Sequence, residues 1–176
     1  ALAYGDFHRG LAMMEGHRFE AVELSALRDK ELRALVEAAP GLPLEGYSYV
    51  SVHAPSRWET LTEREGTRLL RLLADRGWYV IAHPDAIRNA TCWEGFGRLL
   101  CIENMDKRKP VGRDLAELTP SFDRFPDASF CLDLAHARQV DPTMGAARGL
   151  LRYLGSRLVQ VHLSELDARC AHHPLS

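Results

Sequence analysis

Five side chains of the kind that bind metal ions recur along this 176-residue chain. Each directly follows a short apolar stretch, and the five are His53, His83, Glu103, Asp133 and His162. Imidazole and carboxylate groups are the ligands that divalent transition metals take from proteins, and a carboxylate can bridge two ions. A single His or Asp after a strand is more often a turn former or a locally satisfied polar group. Five of them after successive stretches favour one shared metal site.

Other polar residues near these stretches carry weaker indications. His136 follows the fourth of the five residues within one helical turn, and His172 comes after the last apolar stretch. Glu23 belongs to the first stretch, where an ion pair with an arginine explains it more simply than a function does. His8 and His17 fall in the first helical segment, and we expect both to be solvated.

Short buried strands must position these side chains. Six stretches are continuously apolar, as expected of strands covered on both faces; they are AVEL (21–24), YVSV (49–52), YVIA (79–82), LLCI (99–102), SFCL (129–132) and LVQV (158–161). Apolar residues at three-to-four spacing predict amphipathic helices at 27–39, 61–77, 112–122 and 144–157. Alternating strands and helices are typical of an α/β chain with a parallel sheet.

The strand ends recur with nearly the period of a TIM barrel. From Glu23 to His162 the intervals are 30, 30, 20, 30 and 29 residues, with the short one after His83. A (β/α)8 barrel of about 250 residues uses about 31 residues per unit. Counting back from Glu23 places a first strand in ALAYG (1–5). We therefore predict an α/β fold, a single (β/α)8 TIM-barrel domain over 1–176, with seven strands present and strand 8 missing or beyond Ser176, so that the barrel is incomplete at the C-terminus.

Composition limits the class of protein. Hydrophobic residues make up 46% and charged residues 26%, with a net charge of −2 and a mean hydropathy of −0.22, as in a globular domain. No apolar run approaches the roughly 18 residues of a membrane span, and the start lacks the pattern of a signal peptide. We expect no membrane partner and a cytoplasmic location. The four cysteines contain no C-x-x-C pair, and Cys101 and Cys131 are expected to be buried thiols.

Several motifs make the chain resemble the xylose isomerase-like TIM barrel superfamily. That superfamily includes the sugar phosphate isomerases and epimerases and the endonuclease IV-type apurinic (AP) endonucleases of family 2. The resemblance runs from about residue 20 to the end of the chain, and its motifs are SVHAP (51–55), IAHPD (81–85), CIENMD (101–106), CLDLAHA (131–137) and VHLSE (161–165).

The resemblance implies a set of metal ligands. The residues that match the single metal site of the isomerases and epimerases are Glu103, Asp133 and His162. A glutamate on strand 8 is the fourth ligand in those enzymes, and this chain does not contain it. The residues that match additional histidines of the endonucleases are His53, His83 and His136.

The end of the chain departs from the endonuclease pattern. His172 matches a further ligand, but Cys170 stands where those enzymes have an aspartate. This difference puts a third metal in doubt, although a thiolate is itself a zinc ligand. The resemblance thus implies a divalent metal cofactor, which is Zn, Mn, Mg or Fe.

The resemblance implies a sugar or sugar-phosphate isomerase or epimerase, whose partner is a small-molecule substrate. In such a mechanism a divalent ion polarises a carbonyl and a carboxylate moves a proton at the adjacent carbon. Glu103 would be one acid/base group, and His136 would orient or protonate a substrate oxygen. The basic loop Lys107, Arg108 and Lys109 would hold a substrate phosphate or carboxylate, although a solvated loop explains it equally well.

Two other functions remain open. An endonuclease IV-like multinuclear metal phosphodiesterase acting on abasic DNA would use the additional histidines. The near-neutral charge and short loops make a nucleic-acid partner less favoured. The second alternative is a non-catalytic binding barrel. Trp58 and Trp93 fit either stacking on a sugar or packing in the core, and one sequence carries no trace of the oligomeric state.

Overall fold

Six parallel strands form one sheet whose spatial order follows the chain. The computed structural model describes residues 5–167, 169 and 171–173, without the side chain of His172. The strands are β1 (Ala21–Ser25), β2 (Tyr49–His53), β3 (Tyr79–Ala82), β4 (Leu100–Glu103), β5 (Ser129–Asp133) and β6 (Leu158–His162). Each strand pairs in parallel with the next, as consecutive βα units require. The first strand expected in 1–5 lies, apart from Gly5, outside the described residues.

The sheet curls into a half-barrel with helices between its strands. Its two outermost strands approach each other across the interior. The contact that shows this is between the Glu23 carboxylate on β1 and the His162 ring on β6, which lie 2.9 Å apart. This arrangement confirms the expected fold class as a partial TIM barrel with six described strands. A short antiparallel pair, β7 (Glu165–Leu166) and β8 (His172–His173), follows β6.

All four amphipathic patterns contain a helix, as does the first helical segment with His8, and the described residues add one more helix. The helices are α1 (Phe7–Ala12), α2 (Asp29–Ala38), α3 (Glu63–Ala74), α4 (Leu115–Arg124), α5 (Leu134–Val140) and α6 (Gly145–Leu154). Thr62 and Glu65 form a capping box that starts α3, which satisfies backbone N–H groups at its first turn. His8 and His17 are exposed, as expected. Within the described residues, every helix is too short or too polar to cross a lipid bilayer.

The short unit after His83 contains three 3₁₀ turns in place of an α-helix. These turns are Pro84–Ala86, Ala90–Cys92 and Gly97–Leu99. Glu63 of α3 anchors the segment, because its carboxylate accepts hydrogen bonds from the backbone N–H of Arg88 at 3.0 Å and of Asn89 at 3.0 Å. The replacement of a helix by these turns explains the interval of 20 residues.

Side chains alternate between the two faces of the sheet and so divide into two sets. The outward set packs with the helices into the main core, where Val52, Val80, Ile102 and Leu132 meet Leu70, Leu118 and Leu150. Inside the half-barrel, Ile81, Cys101 and Cys131 form a separate buried cluster against Tyr79. Cys101 and Cys131 are therefore buried free thiols, as predicted. Farther along the strands, the same inward set continues into the polar residues of the strand ends.

Candidate metal centre

The carboxyl ends of the strands bring the predicted ligand residues together. Each of the five residues at the strand ends is the last residue of its strand or directly follows it. Six predicted ligands meet at this end of the half-barrel: His53, His83, Glu103, Asp133, His136 and His162. The side chain of the seventh, His172, lies outside the described part of the chain, and so does Cys170.

Glu103 is the centre of this cluster. Its side chain is 1% exposed, and imidazoles approach both of its oxygens. Oε2 lies 3.2 Å from Nε2 of His53 and 3.2 Å from Nε2 of His83. Oε1 lies 2.8 Å from Nδ1 of His162 and 3.6 Å from Nδ1 of His136. Glu103 is thus shared between one pair of histidines on each oxygen.

Three overlapping groups offer ligand atoms that lie within 4.8 Å of one another. The groups are His53, His83 and Glu103; Glu103, Asp133 and His136; and Glu103, Cys131 and His162. All three contain Glu103, and a carboxylate that offers one oxygen to each side is the usual bridge between two metal ions. Cys131 is the one member that the sequence indicated only as a core residue.

Backbone carbonyls fix the proton positions of two of the histidines. His53 Nδ1 lies 2.9 Å from the Ala54 oxygen, and His136 Nδ1 lies 2.8 Å from the Asn104 oxygen. Because a carbonyl oxygen only accepts hydrogen bonds, each of these nitrogens carries the proton. In the neutral ring, Nε2 is then the atom that carries the lone pair.

The donor set fits a divalent cation. Nε2 of His53 and Nε2 of His83 both lie 3.2 Å from the same oxygen of Glu103, whose one negative charge balances only one proton between them. A neutral imidazole lone pair that faces a carboxylate oxygen is repelled unless a cation lies between them. Among the described residues, the buried Nδ1 of His83 has no hydrogen-bond partner. A metal ion would satisfy several of these groups at once.

Burial and the neighbouring charges shift the pKa values of the cluster in opposite directions. Burial raises the pKa of Glu103, but hydrogen bonds from three surrounding histidines outweigh it and hold the pKa well below its usual value. Burial lowers the pKa of both His53 and His83. At His53 the interactions with Glu103 prevail and the pKa is raised, whereas at His83 burial prevails and the pKa is lowered. Burial first, and the charge of Glu103 second, raise the pKa of Asp133.

Asn104 locks strands β4 and β5 together beside the cluster. Its side-chain amide donates to the Asp133 carbonyl at 2.9 Å, and its side-chain oxygen accepts the Asp133 backbone N–H at 2.7 Å. Both groups are buried. Asn104 therefore holds Glu103 and Asp133 at a fixed separation, a role that its place in the CIENMD motif did not reveal.

The cluster opens into a cavity of about 770 Å³. The predicted basic loop contributes to its wall, but two of its three cations are already paired. Arg108 pairs with Asp106 at 2.7 Å, and Lys109 pairs with Asp85 at 2.8 Å. Both cations line the cavity, whereas Lys107 is exposed outside the lining. Free positive charge at this loop is therefore lower than the sequence indicates.

The two tryptophans near the strand ends pack inside the protein. Trp93 is 1% exposed, and its indole N–H donates to Glu63 at 2.8 Å. Trp58 donates to the Ala86 carbonyl at 3.0 Å, and the two ring centroids are 6.4 Å apart. Trp58 is half-buried against the main core, and neither ring lines the cavity, so the core interpretation is favoured.

The sequence analysis misjudged Glu23 and did not identify Asp106 and Gln160 as residues of the site. Glu23 pairs with His162 and Gln160 instead of an arginine. Asp106 is 2% exposed and lies 4.0 Å from Nε2 of His136. The alternation of side chains along a strand could have identified Glu23 and Gln160. Each lies two residues before the end of its strand and therefore faces the interior, as the last residue of the strand does.

Comparisons with known proteins identify the architecture. No protein-family model matches the sequence, and no curated protein is detectably similar to it. Among solved structures, the chain is similar to endonuclease IV from Thermus thermophilus, with a TM-score of 0.55 and 20% identity over 90% of this chain and 72% of that chain. An identity this low is evidence about the fold alone. The chain therefore shares the TIM-barrel fold of this endonuclease IV, and the fold expected from its motifs is confirmed.

Proposed function

We propose that this chain is a divalent-metal-dependent enzyme that acts on a small sugar or sugar phosphate as an isomerase or epimerase. One observation carries the proposal: the buried Glu103 has imidazoles at both oxygens and lines a cavity of about 770 Å³. The cavity is within the range of about 300–1,000 Å³ that holds small molecules. Its position at the carboxyl ends of the strands is where TIM-barrel enzymes carry out catalysis.

Two groups of residues would hold the metal. Glu103, Asp133 and His162 would hold one ion, since Nδ1 of His162 lies 2.8 Å from Glu103 and 3.9 Å from Asp133. His53 and His83 would hold a second ion together with Glu103. Imidazoles favour Zn and Fe, and carboxylates extend the choice to Mn and Mg. When bound, a divalent ion polarises a sugar carbonyl and so favours loss of a proton from the adjacent carbon.

His136 is the group that we assign to proton transfer. Its Nδ1–H donates to the Asn104 carbonyl, so Nε2 carries the lone pair in the neutral ring. A neutral imidazole at the cavity wall can take a proton from a substrate and return it. Glu103, which is approached by imidazoles at both oxygens, then serves as a ligand.

Arg57 offers a second cationic contact for an anionic substrate. It follows β2, is exposed and lines the cavity. In the described part of the chain no carboxylate pairs with it, in contrast to Arg108 and Lys109. A guanidinium binds a phosphate through two parallel N–H groups, which gives orientation as well as charge.

Metal content combined with proton exchange tests the proposal. The protein is reconstituted with Zn, Mn, Mg or Fe, analysed for bound metal, and incubated with a panel of aldose and ketose phosphates in D₂O. We expect bound metal and incorporation of deuterium beside the carbonyl carbon. Glu103→Gln should lose both, whereas Glu37→Ala, at an exposed position of α2, should lose neither. A protein that binds no metal under any of these conditions would refute the proposal.

The second candidate function is phosphodiester hydrolysis at abasic sites. The pairing of His53 and His83 at one oxygen of Glu103 favours it, because their ring centroids lie 4.9 Å apart and would serve a second metal. Two ions that clamp attacking and leaving oxygens are typical of phosphodiesterases. Cleavage of a duplex oligonucleotide with one abasic site, abolished by His83→Ala, would replace the isomerase proposal. Intact duplex after incubation with fully metal-loaded protein would exclude the nuclease.

A further inference from the structure

Glu23 contacts His162 across the interior of the half-barrel. The two residues lie on the outermost strands, β1 and β6, yet Oε2 of Glu23 is 2.9 Å from Nε2 of His162. The other ring nitrogen of His162, Nδ1, is 2.8 Å from Oε1 of Glu103. Each nitrogen of this imidazole therefore faces a different carboxylate. Nε2 also lies 2.8 Å from the amide nitrogen of Gln160, and these two nitrogens share Oε2 of Glu23 as their acceptor.

The two carboxylates differ in their surroundings. The side chain of Glu103 is 1% exposed and is shared with the other histidines of the cluster, whereas that of Glu23 is 27% exposed. The register of β1 pairs Glu23 with Ser51, so Glu23 lies two residues below the level of His53 and the other strand ends. Glu23 thus contacts His162 from below the cluster, whereas Glu103 lies at the level of the candidate ligands.

A chain of hydrogen bonds holds Glu23 in this position. The Tyr49 hydroxyl donates to Oε1 of Gln160 at 2.7 Å, which turns the amide Nε2 of Gln160 toward Glu23, to which it donates. Gln160 and His162 are two residues apart on β6, so both point to the interior. Oε2 of Glu23 lies within hydrogen-bond distance of both the Gln160 amide and Nε2 of His162, and a carboxylate oxygen accepts from both.

We propose that Glu23 is a positioning residue of the metal centre, which accepts the Nε2 proton of His162 and so makes Nδ1 the metal-binding atom. Metal-binding histidines commonly donate their second N–H to a carboxylate or a carbonyl, and this bond fixes the tautomer and the ring orientation. His53 uses a backbone carbonyl for this purpose. The inference rests on the proposed function, because it requires a metal ion beside Glu103.

Cobalt binding measures this role without any turnover. The protein is titrated with Co²⁺ while the absorption bands that report ligand geometry are recorded. Glu23→Ala should weaken Co²⁺ binding about 10- to 100-fold, and Glu23→Gln should weaken it less, because its amide oxygen still accepts a hydrogen bond. Glu37→Ala serves as the matched control and should bind as the wild type does. An unchanged dissociation constant and an unchanged spectrum in Glu23→Ala would overturn the inference.

A second measurement needs only the wild-type protein and therefore does not depend on how the variants fold. In ¹⁵N-histidine-labelled protein loaded with ¹¹³Cd, coupling between the metal and His162 should appear at Nδ1, with Nε2 protonated. Coupling at Nε2 would overturn the inference. Wild-type protein that binds no metal refutes the proposed function as well, whereas metal binding that is insensitive to Glu23→Ala refutes only the positioning role.

Discussion

Asp133 ends strand β5 and caps helix α5 with the side chain that also faces the candidate metal centre. Its Oδ1 accepts the backbone N–H of His136 at 2.7 Å, and its Oδ2 lies 3.6 Å from Nδ1 of the same residue. The spacing of three residues in the D-x-x-H sequence is therefore the spacing of an N-cap to its third helical residue. One carboxylate both starts the helix and sets the position of His136.

The two roles of Asp133 can be separated by substitution. Asp133→Asn keeps an oxygen that caps α5 and removes a negative charge beside Glu103, so the metal-free protein should be at least as stable as the wild type. Asp133→Ala also loses the cap and should lower the free energy of unfolding by about 1 kcal/mol. Both variants should bind Co²⁺ more weakly. Chemical denaturation and Co²⁺ titration measure the two effects, and wild-type affinity in Asp133→Asn would contradict a ligand role.

The two sides of Glu103 predict a specific metal stoichiometry. His83→Ala should remove the ion held at Oε2 and retain the ion held by Asp133 and His162. Glu103→Gln should reduce binding at both positions, because the shared carboxylate loses its charge. Metal analysis after equilibrium dialysis gives the number of ions per chain. Identical stoichiometry in wild type and His83→Ala would show that the centre holds one ion only.

Metal binding should tighten as the pH rises. At His53 and at His162, burial lowers the pKa, but interactions with the surrounding carboxylates and, at His162, with Cys131 raise it above the usual 6.5. Their contribution to the stability of the metal-free protein is therefore complete below the unfolded pKa of about 6.5 and is lost as the pH rises through the folded pKa. A metal ion must displace these protons. Calorimetric titration in two buffers of different ionisation enthalpy should show proton release, and its absence would contradict this assignment.

Asp29 stabilises the loop that leads from β2 to α3. Its carboxylate is 2% exposed and accepts the backbone N–H groups of Glu59, Thr60 and Leu61 at 2.7, 2.6 and 2.9 Å. Burial raises the pKa of Asp29, but these hydrogen bonds outweigh it and lower the pKa from 3.8 to about 2. The stabilisation is therefore present above pH 3.8 and lost as the pH falls through about 2.

Asp29→Asn should lower the free energy of unfolding at pH 7 by roughly 1–2 kcal/mol, since the amide accepts these bonds more weakly than the carboxylate does. The difference from the wild type should shrink as the pH approaches 2. Urea denaturation at several pH values measures it, with the exposed Asp123→Asn as the control. A difference that does not change with pH would argue against an ionised Asp29.

Arg57 and Lys107 should differ in their effect on a phosphorylated substrate. Arg57 lines the cavity without a carboxylate partner among the described residues, whereas Lys107 lies outside the lining. Arg57→Ala should raise KM about tenfold and change kcat little, because it removes a contact made equally in the ground state and the transition state. Lys107→Ala should leave both constants unchanged. Steady-state kinetics of both variants measure these effects. A raised KM in Lys107→Ala and an unchanged KM in Arg57→Ala would show that the 107–109 loop, and not Arg57, binds the phosphate.

The sequence by itself determined the parts of this protein that depend on local pattern. Apolar stretches placed the six strands, three-to-four spacing placed four helices, and the interval of about 30 residues placed the ligand-type side chains at the strand ends. Parallel strands joined by helices must align their carboxyl ends, so His53, Glu103 and Asp133 had to meet at one edge of the sheet. Local periodicity is sufficient for such an inference.

Only the tertiary structure decided which groups meet across the interior and which charges are already paired. Glu23 and His162 are 139 positions apart, and their contact depends on how strongly the sheet curls. The pairing of Arg108 with Asp106 and of Lys109 with Asp85 depends on loop conformations that no periodic pattern encodes. The ligand types are therefore readable from strand spacing, whereas their orientation and electrostatic environment follow from the curvature of the sheet and the packing of its loops.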